Sequence, residues 1–142
     1  MATEQTAFPP HPVLIVDDDE ASRLALVVTL RSAGVTNVQT VADSTAVPQM
    51  LAAEAFSLVL LDLNMPGLSG QEVLQKTSDL ESRPPFIIVT GSSRPRELAQ
   101  GACKGVVDYL VKPVERDRLV RAVRTALAQS PRGKERSRMS RG

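Results

Sequence analysis

The sequence predicts an α/β fold: a five-stranded parallel sheet in the order 2-1-3-4-5, with helices on both faces. Three observations carry this. Short apolar, β-branched-rich runs recur five times and alternate with segments of helical periodicity. The clearest of these runs are continuously apolar rather than alternating, as expected of strands covered on both sides. Every unit is short, which suits a compact sheet whose right-handed crossovers place helices on both faces.

The elements follow in order. Residues 1–12 are polar, carry Pro9, Pro10 and Pro12, and lack a period; they are expected to form a flexible arm. Val13-Leu14-Ile15-Val16 is the first strand. Residues 20–33 place Leu24, Val27, Val28 and Leu30 at helical spacing, and Gly34 is positioned to end that helix. Residues 35–41 form a second, weaker strand. Residues 44–55 are helical, with Val47, Met50 and Leu51 on one side; Pro48 is tolerated in the first turn. Leu58-Val59-Leu60-Leu61 is the third strand, and a loop with Pro66 and Gly67 follows. Residues 70–80 form a third helix, with Val73, Leu74 and Leu80 inward. Phe86-Ile87-Ile88-Val89 is the fourth strand, and a short fourth helix starts near Pro95. Residues 106–111 are the fifth strand. Residues 115–129 form the fifth helix, with Leu119, Val120, Val123, Ala126 and Leu127 on one face and Arg116, Arg118, Arg121 and Arg124 on the other. Residues 130–142 have almost no apolar content and are expected to be a basic flexible tail or linker. One domain over residues 13–129, with flavodoxin-like strand order, accounts for the whole pattern.

Composition narrows the function. The chain has 142 residues, 42% of them hydrophobic, enough for one packed core. Cys103 is the only cysteine, which excludes an internal disulfide framework and fits a reducing compartment. The N-terminus shows no signal-peptide pattern, and no apolar run approaches the length that spans a bilayer. A soluble cytoplasmic protein with no membrane partner is expected. Residues 131–142 carry five cations against one anion, whereas the other 130 residues sum to −3. Aromatic residues make up 3%, and tryptophan is absent, so platforms for stacking single-stranded nucleic acid are not expected. Direct nucleic-acid binding by this domain is not expected either. The glycine motifs of dinucleotide and P-loop sites are missing. His11 lies in Pro9-Pro10-His11-Pro12 without a supporting base and is not read as a phosphodonor.

In a sheet of this order, ligands bind beyond the carboxyl ends of the strands, at the switch point between strands 1 and 3. The first strand ends in Asp17-Asp18, the third in Asp62, the fourth in Thr90 and the fifth in Lys112. Three carboxylates gathered there repel one another unless a cation neutralises them or one holds a proton. Mg2+ suits such a donor set, because it takes few carboxylates, keeps several waters and shares its shell with phosphate. The clustered His and Cys that zinc favours are absent. A lysine and a cation facing a carboxylate form a site for a phosphoryl group, with Asp62 as nucleophile and Thr90 as hydroxyl donor. An Asp pair after a strand also serves as a helix cap, so Asp17-Asp18 alone does not decide between cap and metal site; the full constellation favours the site. Asp19 and Glu20 read as cap and first-turn acids.

The segments VLIVDDDE, LVLLDLNMPGLSG, FIIVTGSS and YLVKP resemble the signature blocks of response-regulator receiver (CheY-like) domains of bacterial two-component systems. The resemblance covers about residues 12–129. Its most specific parts are Asp62-Leu63-Asn64-Met65-Pro66 with Gly70, and Lys112-Pro113 three residues after Tyr109. It implies that Asp62 is the phosphoacceptor and that Thr90 and Lys112 contact the phosphoryl group. It implies a Mg2+ site formed by Asp18, Asp62 and the backbone carbonyl of Asn64, with Asp17 acting through water. It also implies a cis bond before Pro113 and a switch pair, Thr90 and Tyr109, acting on the surface of the fourth helix, fifth strand and fifth helix. The implied partners are a sensor histidine kinase or histidine phosphotransfer protein and, through that surface, a second copy. The stretch from Gly91 to Gly105, with Arg94, Pro95 and Arg96, departs from the commonest family pattern.

Two other readings compete with this one. A haloacid-dehalogenase-like phosphatase also forms an aspartyl phosphate, but needs a second acid where Asn64 stands, a nucleophile on the first strand and a cap domain. A pseudo-receiver used only for binding fits poorly with a complete set of five site residues. The expectation is therefore a phosphoacceptor signalling domain that modifies only itself, not an enzyme acting on an external metabolite.

Overall fold

The computed structural model describes residues 8–91 and 104–129. The fourth helix expected near Pro95 and the tail 130–142 lie outside the described residues.

The elements are β1 (Val13–Val16), α1 (Glu20–Ser32), β2 (Val38–Val41), a 3-10 turn (Ser44–Ala46), α2 (Val47–Ala53), β3 (Leu58–Leu61), α3 (Gly70–Lys76), β4 (Phe86–Thr90), β5 (Val106–Val111) and a C-terminal helix (Arg116–Gln129). The strands form one sheet, β2-β1-β3-β4-β5, parallel at every pairing. This is the predicted order. Strands β1, β3 and β4 are buried along their whole length, which is why they read as unbroken apolar runs. The edge strands β2 and β5 are only partly covered.

Side-chain alternation splits the core in two. Val13, Ile15, Leu58, Leu60, Ile87 and Val89 pack with Leu26 and Leu30 of α1 and Leu119, Val123 and Leu127 of the C-terminal helix. Leu14, Val16, Val59, Leu61, Phe86 and Ile88 pack with Val47 and Leu51 of α2 and Val73 and Leu74 of α3.

Element boundaries differ from the sequence reading for local reasons. β2 begins at Val38 rather than at residue 35. The Val35 N–H is taken by the Leu30 carbonyl at 2.9 Å, finishing α1 through Gly34 at φ +92. The second helix opens with the 3-10 turn, capped by the Asp43 side chain on the Thr45 N–H. Pro48 then sits in the first turn of α2, where its missing N–H costs nothing. α3 stops at Lys76 instead of residue 80. The Thr77 hydroxyl donates to the Val73 carbonyl and Arg83 donates to the Leu74 carbonyl. Leu80 still packs against the core from outside the helix.

The last residues of the expected N-terminal arm are tied down. Phe8 accepts N–H bonds from Thr36 and Asn37, the Asn37 amide donates to the Pro9 and Pro10 carbonyls, and Ser57 donates to the His11 carbonyl. Among the described residues, no helix is long and apolar enough to cross a membrane.

Candidate functional site

The parallel register aligns the strand ends. Val16 of β1 stands opposite Leu61 of β3, and Thr90 of β4 opposite Val111 of β5. The next residue of each chain segment therefore leaves the sheet at the same edge. The Asp62 N–H donates to the Val16 carbonyl at 3.1 Å, and the Lys112 N–H to the Thr90 carbonyl at 2.8 Å. Residues 95 apart in sequence thus become neighbours. Lys112 Nζ lies 2.5 Å from Asp17 Oδ2 and 3.0 Å from Asp62 Oδ2.

Asp17, Asp18 and Asp62 each offer a carboxylate oxygen within 4.8 Å of the others. Asp17 and Asp62 are buried, whereas Asp18 is exposed. Hard oxygen donors at this spacing, open to solvent on the Asp18 side, fit a hydrated divalent cation such as Mg2+. Three carboxylates face one ammonium, a formal surplus of two negative charges.

Hydrogen bonds fix the two buried carboxylates. Asp17 accepts from the Asp19 N–H at 2.9 Å, from the Ser22 hydroxyl at 2.8 Å and from Lys112. Asp62 accepts the Asn64 N–H at 3.0 Å on its other oxygen. Burial alone would raise the Asp17 pKa. The Lys112 ammonium, the Asp19 N–H and the Ser22 hydroxyl outweigh it and hold the carboxyl below the usual aspartate range. Burial likewise pulls Lys112 down, but its bonds to Asp17 and Asp62 hold it above the usual lysine value. The pair is therefore ionised at neutral pH.

Asp17, Asp18, Asp62, Asn64, Thr90 and Lys112 fall at or beside this edge, whereas Tyr109 lies three residues back along β5. Thr90 ends β4 and is fully buried. The Lys112–Pro113 bond is cis. Tyr109 is half-buried on β5 and packs against the core cluster on the α2 and α3 side. Asp19 is the α1 cap, accepting the Ser22 N–H at 2.8 Å. Arg94 and Arg96 lie outside the described residues.

Two contributors escaped the sequence reading. Ser22 donates its hydroxyl to Asp17, and Arg23 donates to the Asp17 backbone carbonyl at 2.7 Å. Both sit in the first turn and a half of α1. The Asp19 cap was the available signal, because it fixes the phase that turns Ser22 toward Asp17.

The pattern of response regulator receiver domains matches residues 13–124. The chain belongs to the response regulator receiver family. FleR, a response regulator protein of Pseudomonas aeruginosa, is 39% identical over 124 residues, covering 87% of this receiver and 26% of the relative. FixJ, a transcriptional regulatory protein of Bradyrhizobium diazoefficiens, is 35% identical over 118 residues, covering 83% and 57%. The receiver thus spans from about a quarter to just over half the length of these curated relatives. Among solved structures it is similar to TrrA of Thermotoga maritima in complex with Mg2+-BeF, with TM-score 0.73 and 26% identity over 82% of this chain and 99% of that one. It is also similar to the receiver domain of sensor histidine kinase PA1611 of Pseudomonas aeruginosa, which holds a magnesium ion in its active site cleft. There the TM-score is 0.75 with 27% identity over 84% and 98%.

Proposed function

We propose that this receiver accepts a phosphoryl group on Asp62, supplied by a phosphohistidine of a sensor histidine kinase or phosphotransfer protein, in a Mg2+-dependent reaction. The observation that carries the reading is the Lys112 ammonium bridging Asp17 and Asp62 inside the three-acid cluster.

Asp17, Asp18, Asp62 and the Asn64 carbonyl would hold the cation, with Asp17 acting through a water. Bound there, Mg2+ supplies positive charge to the acids and to the phosphoryl oxygens. A carboxylate oxygen of Asp62 forms the new bond to phosphorus as the bond from phosphorus to the donor imidazole nitrogen breaks, and the imidazole departs with the electron pair. Lys112, already within 3.0 Å of Asp62, stabilises charge on the transferring group. Thr90 gives a hydroxyl hydrogen bond to a phosphoryl oxygen. Moving Thr90 toward that oxygen frees space for Tyr109, and the β5 surface with its flanking helices becomes the output face. The same face is the proposed contact for a second copy. The domain spans residues 13–129 and acts catalytically on itself alone.

The TrrA complex with Mg2+-BeF supports the reading, because beryllofluoride stands in for a phosphoryl group on a carboxylate. The test is acetyl phosphate with Mg2+, read by intact mass. Wild type should gain one phosphoryl group and Asp62→Asn none. Equal labelling of the two proteins refutes the assignment.

A further inference from the structure

The loop that carries Asn64 is held from an element outside the site. It leaves β3 at Asp62 and enters α3 at Gly70. Its near end is pinned by the Asn64 N–H on Asp62, and its far end by the Gly70 N–H on the Leu63 carbonyl and by the Ser69–Glu72 capping box. The tip between these pins turns at Gly67, at φ +82, which brings the Pro66 and Leu68 carbonyls to the same side chain. That side chain is Ser44, in the 3-10 turn ahead of α2. Its hydroxyl lies 2.6 Å from the Leu68 oxygen and 3.2 Å from the Pro66 oxygen.

Ser44 is fully buried. Its single proton goes to the shorter bond and is shared with the longer one. The turn also packs directly on the loop tip: a Cβ at Gly67 would meet the Thr45 methyl at 3.1 Å. Asp43 holds the turn in shape by accepting both the Thr45 N–H and the Thr45 hydroxyl. Asp43 thus braces the turn, Ser44 ties the turn to the loop, and the loop backbone leads to Asn64.

We infer that Ser44 is a positioning residue for the cation site: its buried hydroxyl anchors the Pro66–Leu68 turn and so fixes the Asn64 backbone. The inference rests on the reading of the Asn64 carbonyl as a Mg2+ ligand. Loss of the hydroxyl leaves the acids untouched. It frees the loop tip, so the carbonyl has to be ordered each time the cation binds, and affinity falls.

Ser57 provides the matched control. It is also buried, and its hydroxyl also donates to a backbone carbonyl at 2.6 Å, that of His11, at the opposite edge of the sheet. The experiment titrates Mg2+ into the full chain as wild type, Ser44→Ala and Ser57→Ala, and measures amide hydrogen exchange of each protein without metal. Ser44→Ala should raise the Mg2+ Kd roughly threefold to tenfold, the size expected for one lost hydrogen bond. It should also speed exchange across residues 63–69. Ser57→Ala should bind Mg2+ as wild type does. Ser44→Gly, which also lacks the hydroxyl, carries the same comparison should the alanine variant fold poorly. Unchanged Mg2+ affinity in the Ser44 variants, or equal weakening by Ser57→Ala, overturns the inference while the Mg2+ site stands. A wild type that does not bind Mg2+ overturns the metal reading itself, and the role of Ser44 with it.

Discussion

The two ends of the same strands solve the problem of buried polar groups in opposite ways. At the amino end, Ser57, Asn37 and Arg83 meet neutral acceptors. Ser57 donates to the His11 carbonyl, the Asn37 amide to Pro9 and Pro10, and Arg83 to the Leu74 and Lys104 carbonyls and the Thr77 hydroxyl while its guanidinium lies 4.7 Å from the Phe86 ring centroid. These bonds close the fold. At the carboxyl end, charges of one sign are gathered and only partly compensated by Lys112. Like charges held together are costly, and a fold keeps them where a ligand removes the cost. The amino-end bonds thus add to stability, whereas the carboxyl end holds a charge surplus that suits a bound cation.

Substitutions at the two ends should therefore separate stability from Mg2+ binding. The largest effect is expected for Lys112→Ala. It leaves buried Asp17 and Asp62 without their cation and should cost about 3 kcal/mol of stability in the absence of metal, the low end for a broken buried pair because Lys112 is itself partly exposed. Urea unfolding with and without Mg2+ checks this: added Mg2+ should recover more stability in the variant than in wild type. Next is Arg83→Ala at the amino end, which should cost about 1–3 kcal/mol by stranding its acceptors and uncovering Phe86. Its Mg2+ affinity, measured by calorimetry, should equal that of wild type. A change there would erase the contrast between the two ends.

The smallest effect concerns pH. The Thr45 hydroxyl and N–H hold the exposed Asp43 carboxyl below the usual aspartate range. A lowered folded pKa means that the cap contributes stability above the unfolded value, about 3.9, and loses it as pH falls through the folded value. Carbon-detected NMR titration of Asp43 should show the low midpoint. Asp43→Asn should remove that part of the acid dependence while keeping the cap.

Much of this was legible in the sequence. The three central strands declared themselves as continuous apolar runs because both of their faces are covered. The candidate site was legible for a related reason: Asp17, Asp18, Asp62 and Thr90 follow or end those runs, Lys112 follows the fifth strand, and the topology brings strand ends together. Edges and helix ends were harder. Val35 looked like a strand residue because burial makes it apolar, yet its N–H belongs to the end of α1. Leu80 kept helical spacing although Thr77 and Arg83 had already closed α3. Ser22 and Ser44 carry no signal of their own, because a serine hydroxyl becomes informative only when the fold shows which carbonyl or carboxylate lies beside it. The N-terminal prolines suggested an arm, but Asn37 and Ser57, distant in sequence, tie residues 8–12 to the sheet.

Which carboxylate is modified can be read directly. The direct measurement treats the chain with acetyl phosphate and Mg2+, reduces the acyl phosphate with borohydride, and sequences the peptides by tandem mass spectrometry. Homoserine is expected at position 62, dependent on Mg2+. Homoserine at position 17 or 18 instead, or a chain that stays unmodified while Mg2+ is bound, would contradict the assignment of Asp62.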